Sequence, residues 1–254
     1  MPKRGYVSKV PLCQVVNAIL YKLKTGVQWR FLPMGELFVD SDYSWNSVYH
    51  HYQKWSKDGS WGYVWEHLLK KYRTTLDMSS VQLDGSQTPV KRGGIAVGYQ
   101  SRKKCKTSNM LFLVDSKGVP LACSSVIAGN HHDAFELTEN AASMLDDLRK
   151  SNLSYDGLFL NADAGFDSSE FRLFCEQKGI IANLDCNERN GKEDSKEEYG
   201  FDKKLYNGSY VIERTNAWID GFKTLLTRFE TNDIHWRSWH LIAFTIILLR
   251  TIKV

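Results

Sequence analysis

Residues 157–165, Gly157-Leu158-Phe159-Leu160-Asn161-Ala162-Asp163-Ala164-Gly165, are a short apolar run that ends in an aspartate and a glycine. Such a run predicts a buried strand that stops at a turn. Helical patterns lie on both sides of it, at 135–150 and 168–179, and another buried strand follows at 180–184. Three β-rich segments come earlier, at 80–83, 110–114 and 119–127. The order βββαβαβ predicts an α/β fold with a mixed sheet, of the ribonuclease-H-like type.

The N-terminal region has a different pattern. Apolar residues recur at helical spacing near residues 10–24, 45–58 and 63–73, which predicts three short helices. Residues 1–78 contain eleven Lys or Arg against six Asp or Glu, and Lys54 and Lys57 lie away from the apolar stripe of the second helix. A basic three-helix unit is typical of helix-turn-helix DNA-binding domains. The same pattern also fits a helical packing domain whose lysines are merely solvated.

The composition is that of an ordinary globular chain. Of 254 residues, 43% are hydrophobic and 24% charged, with a net charge of +4. The five cysteines are widely spaced and form no CxxC pair, so we expect neither disulfides nor a cysteine zinc site. The N-terminus lacks a signal-peptide core, and the longest apolar run, 241–249, is shorter than the roughly 20 residues that span a membrane. We therefore expect a cytoplasmic protein without membrane contact.

Three acidic residues occupy positions suited to metal chemistry. Asp84 directly follows the apolar segment 81–83, Asp163 follows the next buried strand, and Glu213 opens a predicted helix over 211–228. If the two strands are neighbours, two aspartates meet beneath a glutamate and supply hard oxygen ligands for two Mg²⁺ ions. Taken singly, each acid also fits a turn or the first turn of a helix. Neither a phosphate-binding Gly-rich loop nor a nucleophile elbow occurs.

Cations cluster in the sequence after Asp84, and we expect them to contact DNA phosphates. The cluster consists of Lys91, Arg92, Arg102, Lys103, Lys104 and Lys106. On the predicted helix of Glu213, we expect the same role for Arg214 and Lys223. The alternative is that these side chains form a solvated face.

Several separated motifs carry a family resemblance. They are residues 82–94 (QLDGSQTPVKRGG), 161–167 (NADAGFD), 213–218 (ERTNAW), 17–30 (NAILYKLKTGVQWR) and 129–133 (GNHHD). In their order along the chain, these motifs resemble those of the bacterial insertion-sequence transposases of the DDE type, in the insertion sequence five group. The resemblance covers nearly the whole chain.

The resemblance implies a ribonuclease-H-like catalytic domain at 79–254 behind a helical DNA-binding domain at 1–78. Asp84, Asp163 and Glu213 would hold two Mg²⁺ ions, with Mn²⁺ as a substitute, for DNA strand cleavage and strand transfer. The implied partners are double-stranded DNA, as element ends and target, and further copies of the chain. The implied location is the nucleoid.

The sequence also departs from the family pattern. Around the glutamate the family has Tyr, Arg, Glu and Lys at set intervals; Tyr206 and Glu213 fit, but Ser209 and Asp220 stand where Arg and Lys are expected. Lys223 is a candidate to replace the missing lysine. Family members tend to have an additional helical segment before the region matching Arg4, which implies a shortened copy here. Two alternatives therefore stay open, a non-catalytic DNA-binding relic and a stand-alone metal-dependent nuclease.

Overall fold

A computed structural model describes residues 8–132, 134–185, 201–207 and 210–252 of the chain. The helices are α1 (Leu12–Thr25), α2 (Met34–Leu37), α3 (Trp45–Lys57), α4 (Ser60–Tyr72), α5 (Leu137–Lys150), α6 (Ser169–Gln177), α7 (Lys203–Asn207), α8 (Val211–Asp220) and α9 (Asp233–Thr251). The strands are β1 (Ser80–Pro89), β2 (Gly98–Gln100), β3 (Cys105–Asp115), β4 (Pro120–Cys123), β5 (Ile127–Ala128), β6 (Phe159–Ala162) and β7 (Ile181–Leu184).

The seven strands form one mixed sheet in the order β2-β3-β1-β6-β7, and β4 and β5 also pair with β3. Strand β3 runs antiparallel to β1, whereas β6 is parallel to β1 and β7 is parallel to β6. The parallel strands are connected through helices, as crossover connections require. This is the ribonuclease-H-like arrangement that the order of elements predicts.

Strand β1 and the helix of Glu213 differ in length from the sequence prediction. Strand β1 does not stop at Leu83 but continues through Asp84 to Pro89, because β3 pairs with it along its whole length. The predicted helix 211–228 ends at Asp220. Phe222 and Leu225 are both buried, which explains why the apolar pattern continues past the end of the helix. The backbone of residues 222–225 does not continue the helix but turns toward α1.

Residues 186–205 are polar and rich in charge, which predicts a loop or an insertion. This segment lies partly outside the described residues, which resume at Phe201. Within its described part, residues 203–207 form helix α7 and not a loop. The side chain of Asp202 caps this helix by accepting hydrogen bonds from the backbone N–H groups of Lys204 and Leu205.

The two faces of the sheet bury different kinds of side chain, apolar on one face and amide on the other. Leu83 and Leu160 lie with residues of α5 and α6 in an apolar layer. On the opposite face, a row of buried amides crosses three strands in register, Gln82 on β1, Asn161 on β6 and Asn183 on β7. Helix α8 covers this second face, where its Val211 and Ile212 pack on Val114 of β3.

The N-terminal helices pack on the rest of the chain through aromatic contacts. Tyr52 of α3 stacks on Trp239 of α9 with ring centroids 4.2 Å apart, and Trp29 stacks on the same indole at 5.7 Å. The Tyr52 hydroxyl donates to the backbone oxygen of His235. These rings belong to one hydrophobic cluster that continues into the sheet. The division into domains at residues 78 and 79 stays a prediction.

The end of α1 is joined to the turn after α8. The backbone N–H of Lys223 donates to Lys24 O, and that of Thr224 donates to Leu23 O. The Thr224 hydroxyl donates to Lys22 O at 2.7 Å, and Lys24 Nζ donates to Gly221 O at 2.8 Å. Because main-chain hydrogen bonds fix both partners, the first helix sets the position of this turn.

No helix of the described residues is both long enough and apolar enough to span a membrane.

Candidate active site

Asp84 lies within β1, opposite Phe112 of β3, and is half-buried. Its Oδ1 accepts a hydrogen bond of 2.7 Å from the backbone N–H of Gly85. Its Oδ2 accepts one of 3.2 Å from Nδ2 of Asn216 on α8. Both carboxylate oxygens are therefore oriented, one by the strand itself and one by the covering helix.

Asp163 directly follows β6 and is exposed. Strands β1 and β6 pair in parallel with Gln82 opposite Asn161. Asp84 and Asp163 each lie two residues beyond this pair, Asp84 within β1 and Asp163 directly after β6, so their positions are equivalent. The Oδ1 of Asp163 accepts a hydrogen bond of 2.8 Å from Gly165 N–H at the start of a 3₁₀ turn. As the sequence predicts, the two aspartates are on neighbouring strands.

Glu213 is exposed in the first turn of α8. Asn216, three residues later, projects from the same side of the helix, and its bond to Asp84 brings this side toward β1. The helix is also attached to the turn between β3 and β4. There Thr215 Oγ1 donates to Gly118 O, and Arg214 Nη2 donates to Lys117 O, each at 2.6 Å.

Tyr206 on α7 is near both of the other acids. Burial raises the pKa of its phenol, and the negative charges of Asp185, Asp163 and Glu213 raise it further. Tyr206 therefore lies within electrostatic range of both Asp163 and Glu213. Ser209, which stands where the family has Arg, lies outside the described residues. Asp133 of the GNHHD motif lies outside them as well.

The three acids share a region but do not form a closed cluster. Among the described residues, no three His, Cys, Asp or Glu side chains are close enough together to hold a metal ion. The available donors are nevertheless all hard oxygens, which Mg²⁺ and Mn²⁺ prefer. The Oδ1 of Asn216 adds a buried oxygen without a hydrogen-bond partner in the described part of the chain. The donor set fits a divalent ion, and Asp163 and Glu213 are both exposed to solvent.

Asn183 forms a set of hydrogen bonds near the site that no pattern in the sequence predicts. Asn183 Nδ2 donates to Asn161 Oδ1 at 2.6 Å and to Asp202 O at 3.0 Å. Its Oδ1 accepts from the backbone N–H of Asp202 at 2.7 Å. Asn183 thus attaches the start of α7, and with it Tyr206, to the sheet.

All ten cations predicted to contact DNA are exposed. Lys54 and Lys57 lie on α3; Lys91 and Arg92 follow β1; Arg102, Lys103 and Lys104 lie in the turn before β3, and Lys106 lies on β3. Because β1 is longer than predicted, its last residue, Pro89, is about 17 Å beyond Asp84 at strand rise. Lys91 and Arg92 therefore do not join the carboxylates.

The two remaining cations lie on and after α8, the helix of Glu213. The Arg214 guanidinium lies 5.1 Å from the centre of the Trp218 ring. Lys223 is in the turn that pairs with α1. Asp220 is exposed at the end of α8, on the side of Glu213 and Asn216.

The sequence matches two family profiles. Residues 83–250 match the family described as "DDE superfamily endonuclease". Residues 1–65 match the family described as "Putative transposase of IS4/5 family". No curated protein matches the chain.

Three solved structures are similar to this chain, each over 98% of it and 81% of the other chain. They are the "Mos1 transposase paired-end complex with left transposon end" (10% identity, TM-score 0.33), the "Mos1 Strand Transfer Complex" (9%, 0.32) and the "Mos1 mariner paired end complex with Mn" (10%, 0.33).

Proposed function

We propose, from the premise that the chain belongs to the DDE superfamily of endonucleases, that it is an IS4/5-type transposase with Asp84, Asp163 and Glu213 as its catalytic carboxylates. One observation carries this assignment of residues. Asp84 and Asp163 occupy equivalent positions on adjacent parallel strands, and Asn216 holds the helix of Glu213 against Asp84.

Membership of this superfamily implies the use of divalent metal ions. We assign Mg²⁺ as the ion, with Mn²⁺ as a substitute, held by Asp84, Asp163 and Glu213. Two such ions activate the attacking oxygen and stabilise the leaving oxygen of a phosphodiester. Asn216 keeps one oxygen of Asp84 in place, and the Gly165 N–H does the same for Asp163. Two oriented carboxylates lose less conformational freedom when they bind an ion.

The DNA partners follow from the same function. The N-terminal helices bind the terminal inverted repeats, and the ten exposed cations contact phosphates of the element ends and the target. Joining two ends to one target requires at least two active sites, so the protein acts as a homo-oligomer on DNA. Its substrate places it at the nucleoid.

The test is cleavage of an end-labelled duplex that carries the DNA flanking this reading frame, with Mg²⁺ or Mn²⁺. Wild type is compared with Asp163→Asn and with Asp156→Asn. The control removes an exposed acid that precedes β6, at the opposite end of that strand from Asp163. We expect metal-dependent nicking at the repeat boundary that is lost only in Asp163→Asn. Nicking by Asp163→Asn at the wild-type rate would exclude the assignment.

A non-catalytic DNA-binding protein is the second candidate, favoured by Asp220 and by the open arrangement of the acids. It predicts salt-sensitive DNA binding without cleavage in a folded protein. A stand-alone nuclease would cut but never join a 3′-hydroxyl end to a target, so the same assay with target DNA added distinguishes the three functions.

A further inference from the structure

A groove lies at the junction of three helices, next to the helix of Glu213. Its volume is about 530 Å³. It is lined by Lys24 at the end of α1, by Ala217, Trp218 and Gly221 on and after α8, and by Ile247 and Arg250 of α9. The acids of the candidate active site are not among its lining residues.

Two cations in this groove share one aromatic ring. Lys24 Nζ lies 5.4 Å from the centre of the Phe222 ring, and the Arg250 guanidinium lies 5.9 Å from the same centre. Neither side chain forms an ion pair with a residue that the structure describes. Both side chains carry a positive charge, so an anion in the groove would be bound favourably.

The walls of the groove are partly apolar, which fits a sugar–phosphate backbone and not a lone ion. Trp218 is 36% exposed, and Ala217 and Gly221 leave the helix backbone open to close approach. Ala217 stands one turn after Glu213 on α8, a rise of about 5–6 Å. The groove therefore begins about one helical turn from Glu213 and extends onto the neighbouring side of α8 that carries Trp218.

We infer that this groove carries the sugar–phosphate backbone of the DNA strand beyond the cleavage site, with phosphates contacted by Lys24 and by Arg250. This inference rests on the proposed function. Cations that have no acidic partner in the described structure complement a phosphate, and the apolar indole complements the deoxyribose. Since Lys24 belongs to the N-terminal region, a strand in this groove contacts both parts of the chain that match transposase or endonuclease families.

The experiment measures the salt dependence of DNA affinity with the full-length protein. Fluorescence anisotropy of the labelled flanking duplex is recorded without metal over a series of salt concentrations. Lys24→Gln and Arg250→Gln are compared with Lys178→Gln. The control also removes one exposed cation that lies over a phenylalanine, Phe174, but on the α6 side of the sheet.

We expect each groove variant to reduce the slope of log K against log[salt] by about 0.9, the value for one lost phosphate contact. The control leaves the slope unchanged if Lys178 makes no phosphate contact. A groove variant with the slope of the control overturns the inference. Thermal unfolding checks that Lys24→Gln, which also loses its bond to Gly221 O, is folded.

A second measurement does not depend on the Lys24 variant. A single methylphosphonate is moved along the duplex near the cut position, which removes one phosphate charge at a time. Wild type should lose affinity at the phosphate that Arg250 contacts, and Arg250→Gln should be insensitive at that position. If Arg250→Gln stays as sensitive as wild type everywhere, the phosphate is not held by Arg250 and the inference fails.

Failure of the inference is distinguishable from failure of the proposed function. Cleavage that is lost in Asp163→Asn, together with unchanged slopes, rejects only the groove. Altered slopes without any cleavage reject the transposase activity and keep the groove as a DNA-binding site. If inorganic phosphate at millimolar concentration displaces the duplex from wild type but not from Arg250→Gln, the groove is a site for free phosphate. It then does not bind a DNA backbone, and the inference fails.

Discussion

Asn216 on α8 is hydrogen-bonded to Asp84 on β1, with 3.2 Å between Nδ2 and Oδ2, across 132 residues of sequence. This is the contact that places the helix of Glu213 over the strand of the first aspartate. The rest of the helix is held by its attachment to the β3–β4 turn. The orientation of Asp84 and the position of Glu213 thus depend on Asn216, Thr215 and Arg214, none of which is an acid.

Asn216→Ala should weaken metal use without unfolding the protein. Asp84 loses one of the bonds that orient it, and loss of such a supporting bond typically costs about 10- to 100-fold in metal affinity or activity. We expect the Mn²⁺ concentration for half-maximal cleavage to rise by that factor. The thermal midpoint should shift little, because one half-buried hydrogen bond contributes about 1 kcal/mol.

Asn46→Ala is the matched control, since it truncates an exposed asparagine on α3. It should keep the wild-type Mn²⁺ dependence. If Asn216→Ala also keeps it, Asp84 does not depend on Asn216 for its orientation.

Gly118→Ala should displace α8. Gly118 has a φ of +79°, and a Cβ there would lie 2.8 Å from Thr215 Oγ1 and 3.1 Å from Val211 O. Both the strained backbone and the collision act on the turn that anchors the helix of Glu213. We expect a loss of stability beyond the roughly 1 kcal/mol of a left-handed alanine, together with a large loss of cleavage.

Gly157→Ala separates these two effects. Gly157 has a φ of +70°, but a Cβ there meets no atom within 4 Å. The variant should lose about 1 kcal/mol in chemical denaturation and retain cleavage. Equal loss of cleavage in the two variants would mean that backbone strain, and not displacement of α8, is responsible.

The sequence predicts the sheet order and the placement of the aspartates because both follow from local patterns. Apolar runs that end in turn residues mark β6 and β7, and parallel pairing then brings Asp84 and Asp163 to equivalent positions. Ser44 similarly caps α3 by accepting from Asn46 N–H. Each of these features depends on residues close together in the chain.

The features that the sequence misses depend on distant partners. Strand β1 extends past Asp84 because β3 supplies its hydrogen bonds. Arg228, an ordinary surface residue by type, is fully buried because Ser108 Oγ and the backbone oxygens of Ala96 and Glu230 accept its N–H groups. Periodicity gives no information about such backbone acceptors.

Asn183→Ala should destabilise the protein and release α7. The substitution removes three hydrogen bonds and leaves polar groups of Asn161 and Asp202 without their partner. Unsatisfied buried groups of this kind cost about 1–3 kcal/mol each, so we expect about 3 kcal/mol in urea denaturation. Trypsin should cut after Lys203 or Lys204 faster than in wild type. Asn46→Ala should change neither property, and an unchanged cleavage pattern in Asn183→Ala would show that α7 is held by other contacts.

His240 should make the protein less stable in acid. Its ring is buried on α9 between Phe112 and Trp236, and burial lowers its pKa from 6.5 to about 4. The nearby charges of Arg228 and Arg237 act in the same direction, while the bond between Nδ1 and Trp236 O opposes it. Between pH 6.5 and 4 the unfolded chain binds a proton at this residue that the folded chain does not. Stability therefore falls as the pH falls through this window.

For His240 alone, the loss between pH 7 and pH 5 is about 2 kcal/mol. His240→Leu removes the titrating group, so its free energy of unfolding should fall by about 2 kcal/mol less than that of wild type over the same interval. His235, whose pKa is also lowered by burial, still contributes in both proteins. His50→Leu, at an exposed position on α3, should keep the wild-type difference. Urea denaturation at the two pH values measures all three proteins, and equal losses in wild type and His240→Leu would mean that the buried imidazole is protonated in the folded state.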